Sequence, residues 1–231
     1  MKVSILIPVF NEEKTVSRLI EKILNINLNK EIIIINDGST DNSLKEIEKF
    51  NSKLHKIISH RKNLGKGAAI KTGKNFITGD IVIIQDADLE YDPNNYNNLI
   101  DPILQNKSEV VYGSRVLGKK RYSDADFISN FRTFANHLLT IISNIINNQN
   151  LTDAHTCYKI FKTEVFNKLN LNENDFSFCP EVTTKLSNLK INIIEIPIDY
   201  KGRTISEGKK IRFQDGIKAL IVLIKYKFFI K

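Results

Sequence analysis

Residues 79–93 read GDIVIIQDADLEYDP. Ile81–Ile84 is an unbroken apolar run rich in β-branched residues, the pattern of a strand buried on both faces of a parallel sheet. Asp86, Asp88 and Glu90 follow it, alternating with Ala87 and Leu89. Three neighbouring carboxylates repel one another unless something positive lies between them. The carboxyl ends of strands are where open α/β sheets bind ligands. There, oxygen ligands suit a hard divalent cation such as Mg²⁺ or Mn²⁺. Taken alone, D-x-D is also the sequence of a polar turn after a core strand.

On the N-terminal side, residues 3–8, 32–35 and 56–59 read as further buried strands. Helical patterns separate them. Val16, Leu19, Ile20, Ile23 and Leu24 form one apolar face, with Asn11 as its expected N-cap. Leu44 and Ile47 mark a second helix, with Ser43 and Glu46 spaced as a capping box. A third helix is expected over residues 68–76. Strands alternating with helices at this spacing predict an α/β fold, a mostly parallel sheet with helices on both faces. On the C-terminal side, residues 95–104 and 181–188 read as helices, and 110–113, 157–162 and 191–200 as strands. A long helix is expected over 127–146. Phe127, Phe131, Phe134, Leu138, Ile141 and Ile145 step along it by four and three; either that stripe is buried, which is the first expectation, or part of it faces lipid or a partner chain. Residues 212–231 predict a basic amphipathic helix, with Phe213, Ile217, Leu220, Ile221, Ile224 and Phe228 on one face. Such a helix docks either on the core or on a membrane surface. The organisation expected is one domain over 1–211, with 212–231 as its extension.

Composition narrows the partners. With 42% hydrophobic residues the 231-residue chain can bury one substantial core. A formal net charge of +8 fits a phosphorylated substrate, an anionic membrane surface or nucleic acid. No nucleic-acid motif or basic–aromatic run is present, so nucleic acid is not expected. The two cysteines, Cys157 and Cys179, have no metal-type spacing, and they fit a reducing compartment without a disulfide framework. No stretch reaches the ~18–20 apolar residues of a membrane span, and the opening residues do not form a signal peptide.

Several motifs now stand in order: IPVFNEE at 7–13, INDGSTD at 35–41, RKNLGKGAA at 61–69 and DADL at 86–89. VYGSR at 111–115, LTDAHTCYK at 151–159, FCPE at 178–181 and YKGRTISEGKKI at 200–211 follow. Together they resemble a family 2 glycosyltransferase with the GT-A (Rossmann-like) fold. Within that family they resemble the dolichol-phosphate mannose or glucose synthase branch, which moves a sugar from a nucleoside diphosphate to a polyprenyl phosphate. One departure stands out: many members carry a Ser-Gly-Phe-type sequence at the position of Thr156-Cys157-Tyr158.

The resemblance implies roles. Pro8, Phe10, Glu12, Asp37, Gly65, Lys66, Gly67, Asp86 and Ala87 would contact the nucleotide sugar. Asp86, Asp88 and Glu90 would hold Mg²⁺ or Mn²⁺, and Asp86, Asp88, Arg115 and Arg203 would carry the catalysis. A phosphomonoester with a second pKa near 6 is largely a dianion at neutral pH, so it attacks without a general base. Cations are therefore expected on the acceptor side: Arg115, Arg132, Arg203 and Lys209. A hydroxyl acceptor would instead need a base, with Asp153 and Glu181 as candidates. Either could equally be a structural carboxylate paired with one of these cations. The four histidines are read as structural or surface residues. The expected setting is cytoplasmic, peripheral on the cytoplasmic face of a membrane, with or without a separate membrane subunit. Competing readings are a transferase acting on a saccharide hydroxyl and a silent membrane-docking subunit.

Overall fold

The computed structural model describes residues 1–118, 127–203 and 213–230, with residues 127–132 and 213 as backbone only. Among the described residues seven strands form one sheet: β1 (Val3–Val9), β2 (Lys30–Asn36), β3 (Lys56–Ser59), β4 (Ile81–Ile84), β5 (Val110–Ser114), β6 (Lys159–Lys162) and β7 (Ile193–Pro197). Their order is β3-β2-β1-β4-β6-β5-β7. β6 runs antiparallel to β4 and β5, whereas the other pairings are parallel. β1, β2 and β4 lie inside the sheet, which is why their sequences are nearly continuous Ile and Val.

The helices are α1 (Val16–Asn25), α2 (Ser43–Glu48), α3 (Lys66–Lys74), α4 (Tyr96–Leu104), α5 (Phe127–Asn147), α6 (Thr163–Lys168), α7 (Phe178–Asn188) and α8 (Phe213–Ile224). α3 packs on β1 and β2, and α4 packs on β5, β6 and β7. At Gly73 in α3 a Cβ would come within 2.7 Å of Ile35 Cδ1 and 3.1 Å of Leu6 Cδ2, so glycine sets how closely that helix approaches the sheet. Leu6 therefore faces α3, and the strand period sends Ile5 and Ile7 to the opposite face.

Local expectations are corrected in three places. Thr15, not Asn11, precedes α1; Asn11 takes a left-handed φ of 51° and ties the loop after β1 to that after β2. The capping box is absent: Ser43 lies inside α2 and bonds Asp41, while Glu46 bonds Lys49 and Ser17. The third correction concerns α5, which is inside out. Its buried positions are Thr140, Ser143 and Asn147, and Phe134, Leu138, Ile141 and Ile145 face outward, Ile145 to 76%. Hydrogen bonds reach most of the inward polar face: Thr140 Oγ1 donates to the Asn136 carbonyl, and Asn147 Nδ2 to Ser143 and Thr184, while the buried Asn147 Oδ1 has no partner. α8 docks on α5 and α7 through Ala219, Val222, Leu223 and the following Tyr226. Its other apolar face, with Ile217, Ile221, Ile224 and Phe228, stays outside.

A buried polar knot secures the end of the sheet away from the motifs. Glu31 accepts hydrogen bonds from Ser4 Oγ and from the N–H and hydroxyl of Thr78, and it pairs with Lys2. Burial pushes this carboxyl up, but the donors of Lys2, Ser4 and Thr78 outweigh it and hold the pKa at about 2, against an ordinary 4.5. A depressed carboxyl stabilises the fold fully above its unfolded pKa and loses that contribution as pH falls toward the folded one. Glu31→Gln is expected to lower the unfolding free energy by roughly 2–3 kcal/mol at neutral pH. In denaturant titrations that difference from the wild type should shrink between about pH 4.5 and about pH 2.

Candidate active site

The motifs converge at the carboxyl ends of β1, β2 and β4. β4 ends into Asp86, and Leu89, at a left-handed φ of 62°, turns the chain so that the Glu90 N–H donates to Asp88 Oδ1 at 3.1 Å. Beside this turn, β1 runs out through Pro8 and Phe10 to the buried Glu12, whose N–H donates to Ser43 Oγ at 2.7 Å. Ala87 is buried beneath. Four carboxylates, Glu12, Asp86, Asp88 and Glu90, are thus brought to one place.

Among the described residues, two side-chain cations meet them. Lys66, at the start of α3, forms an ion pair with Asp86. Burial is the largest influence and disfavours its charge, but the negative charge of Asp86 and the other nearby groups together outweigh it and keep the ammonium protonated. Arg203 arrives from beyond β7. Its guanidinium donates to both Glu12 oxygens at 3.0 Å and to Asp88 Oδ2 at 3.1 Å, and its N–H donates to Glu90 Oε1 at 2.6 Å. Tyr200 donates its hydroxyl to the other Glu90 oxygen at 2.6 Å. Among the described residues the compensation is incomplete. Burial, then Asp86 and Glu90, push the Asp88 carboxyl up to about 7 despite Arg203. Oxygen donors in electrostatic excess fit a hard divalent cation. Yet the described residues hold no ready three-carboxylate cage. With Lys66 and Arg203 on these oxygens, Asp86, Asp88 and Glu90 could hold a metal only by exchange with them.

Contacts within the chain shape the glycine loop. Asp37 accepts from the N–H groups of Leu64 and Gly65 at 3.0 and 2.8 Å, and His60 Nδ1 lies 2.7 Å from it. Asp37 thereby shapes the loop that delivers Lys66. Gly65 has a φ of 99°, and a Cβ there would strike the Asn174 carbonyl oxygen; one on Gly67 would strike that of Glu173. The 173–175 segment presses on these glycines.

On the other flank, Arg115 makes a bidentate pair with Asp153, both bonds at 2.7 Å, and its guanidinium lies 5.3 Å from the Tyr200 ring centre. Burial raises the Asp153 carboxyl, but Arg115 outweighs that and holds it below the ordinary range. Glu181 is fully buried, accepting from the N–H groups of Asn172 and Glu173 and pairing with Lys185. Both candidate bases thus have structural partners. Arg132 lies on α5 with its side chain outside the described residues, as is all of Lys209. Sequence reasoning missed Tyr200 and its bridge to Tyr91. The only signal was its place at the head of the Y-K-G-R motif.

The sequence pattern of glycosyl transferase family 2 matches residues 4–169. A dolichyl-phosphate β-glucosyltransferase of Trichomonas vaginalis is 26% identical over 98% of this chain and 73% of its own length. A UDP-N-acetylglucosamine–dolichyl-phosphate N-acetylglucosaminyltransferase of Methanococcus voltae is 29% identical, covering 96% of this chain and 95% of its own. A dolichol-phosphate mannosyltransferase of Pyrococcus furiosus is 27% identical over 90% of this chain and 59% of its own length. Among solved structures, glucosyl-3-phosphoglycerate synthase of Mycobacterium tuberculosis, in complex with Mn²⁺, UDP and phosphoglyceric acid, superposes with a TM-score of 0.73. It shares 16% identity and covers 98% of this chain and 78% of its own. Strand-end carboxylates, a mostly parallel sheet and these matches lead to one statement: the chain is a glycosyltransferase of family 2, with the GT-A fold.

Proposed function

We propose that the protein transfers a hexose from a nucleoside diphosphate sugar to a polyprenyl phosphate, with inversion at the anomeric carbon and with Mg²⁺ or Mn²⁺. The observation that carries this reading is the commitment of both candidate bases. Asp153 is taken up by Arg115, and Glu181 by two N–H groups and Lys185. An acceptor that arrives already ionised has no need of them. Its phosphate oxygen attacks the anomeric carbon while the bond to the nucleoside diphosphate breaks on the opposite side. Arg115 and Arg203 orient that phosphate by sharing their donors between it and the carboxylates they pair with, with Arg132 and Lys209 as the further cations assigned to it. Pro8, Phe10, Glu12, Asp37, Ala87 and the Gly65–Gly67 loop form the donor side, and Lys66 faces its phosphates. Asp86, Asp88 and Glu90 hold the divalent ion, which when bound neutralises charge on the leaving diphosphate.

A lipid acceptor also accounts for α5 and α8. No described helix is long and apolar enough to cross a membrane. The two helices pack together, and each turns an apolar stripe outward. Contiguous exposed apolar surface marks an interaction site, and a membrane face, here the cytoplasmic one, suits a chain of net charge +8.

Purified protein given a panel of nucleotide sugars, Mn²⁺ and a polyprenyl phosphate in detergent should form a lipid-linked sugar. Asp88→Asn should reduce that rate about a hundredfold or more with donor and metal saturating. Donor hydrolysis with no lipid product would favour a saccharide hydroxyl acceptor, and nucleotide binding without turnover a silent docking subunit.

Because Arg203 competes for the same carboxylates, Arg203→Gln should tighten Mn²⁺ binding about tenfold, read from the free-ion electron paramagnetic resonance signal. Unchanged affinity would remove Arg203 from that competition.

The combined substitution Ile221→Glu and Phe228→Glu should abolish co-sedimentation with anionic vesicles while leaving the thermal unfolding transition in place. Retained binding would move the membrane face elsewhere.

A further inference from the structure

Arg115 is aimed by its neighbours, and the contacts that aim it end on Glu195 of β7. Asp153 holds the Arg115 guanidinium, and the Arg115 N–H donates to the same carboxylate at 3.1 Å. The residue before Arg115 is tied to the same segment. Ser114 Oγ and Thr152 Oγ1 lie 2.8 Å apart, and Ser114 Oγ accepts the N–H groups of Val116 and Leu117 at 3.3 and 3.0 Å. Both the head and the backbone of Arg115 therefore depend on where Thr152 and Asp153 stand.

Those two residues belong to no helix or strand, so no ladder of backbone bonds fixes them. Glu195 holds them instead. One of its carboxylate oxygens accepts the Thr152 N–H at 2.6 Å and the Thr152 hydroxyl at 2.9 Å, and the other accepts the Asp153 N–H at 2.8 Å. A carboxylate only accepts, so the hydroxyls donate in order from Ser114 to Thr152 to Glu195. On the far side of Asp153, the Ala154 carbonyl accepts from the buried Lys159 ammonium at 3.2 Å and from Thr183 Oγ1 at 3.4 Å. Register explains the reach: Glu195 stands opposite Tyr112 on β5, the strand that runs into Arg115. Gripping two successive N–H groups takes both oxygens of a carboxylate. The glutamine isostere would set an NH₂ group against one of those donors and leave it unpaired.

We propose that Glu195 is a positioning residue for acceptor binding: through Thr152 and Asp153 it sets the direction of Arg115, an assignment that rests on Arg115 meeting the acceptor phosphate. A guanidinium recognises phosphate through a planar, bidentate geometry, so a small loss of aim weakens the contact. The donor carboxylates and Lys66 lie on other elements, after β1 and β4 and on α3. The effect of Glu195 therefore falls on the acceptor.

Glu195→Gln should raise the KM for polyprenyl phosphate about tenfold, with the KM for nucleotide sugar, the Mn²⁺ affinity and kcat at saturating acceptor unchanged. In an Arg115→Ala background the same substitution should change kcat/KM by less than about twofold, because the residue it acts through is gone. Thr152→Val removes only the hydroxyl; it should raise the same KM about threefold, and it carries the test should Glu195→Gln fail to fold. A readout without acceptor is the Arg115 Nε–H resonance, whose exchange with water should quicken about tenfold in Glu195→Gln as Asp153 loosens. A nucleotide-sugar KM that rises in step, effects that multiply in the double variant, or an unchanged exchange rate at Arg115 would each overturn the proposal. Faster exchange at Arg115, in a protein whose wild type forms no lipid-linked sugar, would keep Glu195 as the residue that aims Arg115 and reject the polyprenyl phosphate acceptor.

Discussion

Charge compensation at the end of β4 is the constraint on which the rest of the site depends. Four carboxylates held this close cannot all remain ionised and desolvated without cations among them. Lys66 and Arg203 supply two, and the remaining imbalance appears at Asp88. Much of the surrounding structure serves to deliver those cations. Asp37 and His60 shape the loop that presents Lys66, and the 173–175 segment presses it into place. Tyr91 and Tyr200 pair across an isolated bridge, which brings the chain back so that Arg203 can reach Glu12.

The sheet divides the labour. Strands β3, β2, β1 and β4 come from the first part of the chain and end at the carboxylates. Strands β6, β5 and β7 come from the second part and carry the Arg115–Asp153 pair on their rim. Because β6 is reversed, the segment entering it starts at the same edge at which the parallel strands finish. This is how residues 151–158 reach the site without a long crossover.

Legibility in the sequence followed the range of the interaction. The strands could be read from Ile81–Ile84 and Ile32–Ile35 because a strand buried on both faces needs little besides apolar β-branched residues. Asp86, Asp88 and Glu90 could be read because they are consecutive in one turn. What Asp37, Asp153 and Glu181 bind could not be read, since each is settled by partners that only the fold brings near. The orientation of α5 was hidden for another reason. Periodicity tells which residues share a face, not which face turns inward, and the usual rule that the apolar face is buried gives the wrong answer for a helix whose Thr140, Ser143 and Asn147 find hydrogen bonds inside. The capping expectations failed because Asn11 and Ser43 bond neighbouring loops instead of their own helices.

The Arg203–Glu12 pair spans 191 positions of sequence. During synthesis Glu12, Asp86, Asp88 and Glu90 all leave the ribosome well before the arginine that balances them. Closing so long a loop costs entropy that the contact repays only once it has formed. The acidic site is therefore among the last parts of the chain to reach electrical balance, and until then its carboxylates repel one another or take up protons. Chains that stop short of residue 203 keep every described strand of the sheet and all four carboxylates of the site, and lack the arginine that lets those carboxylates sit together.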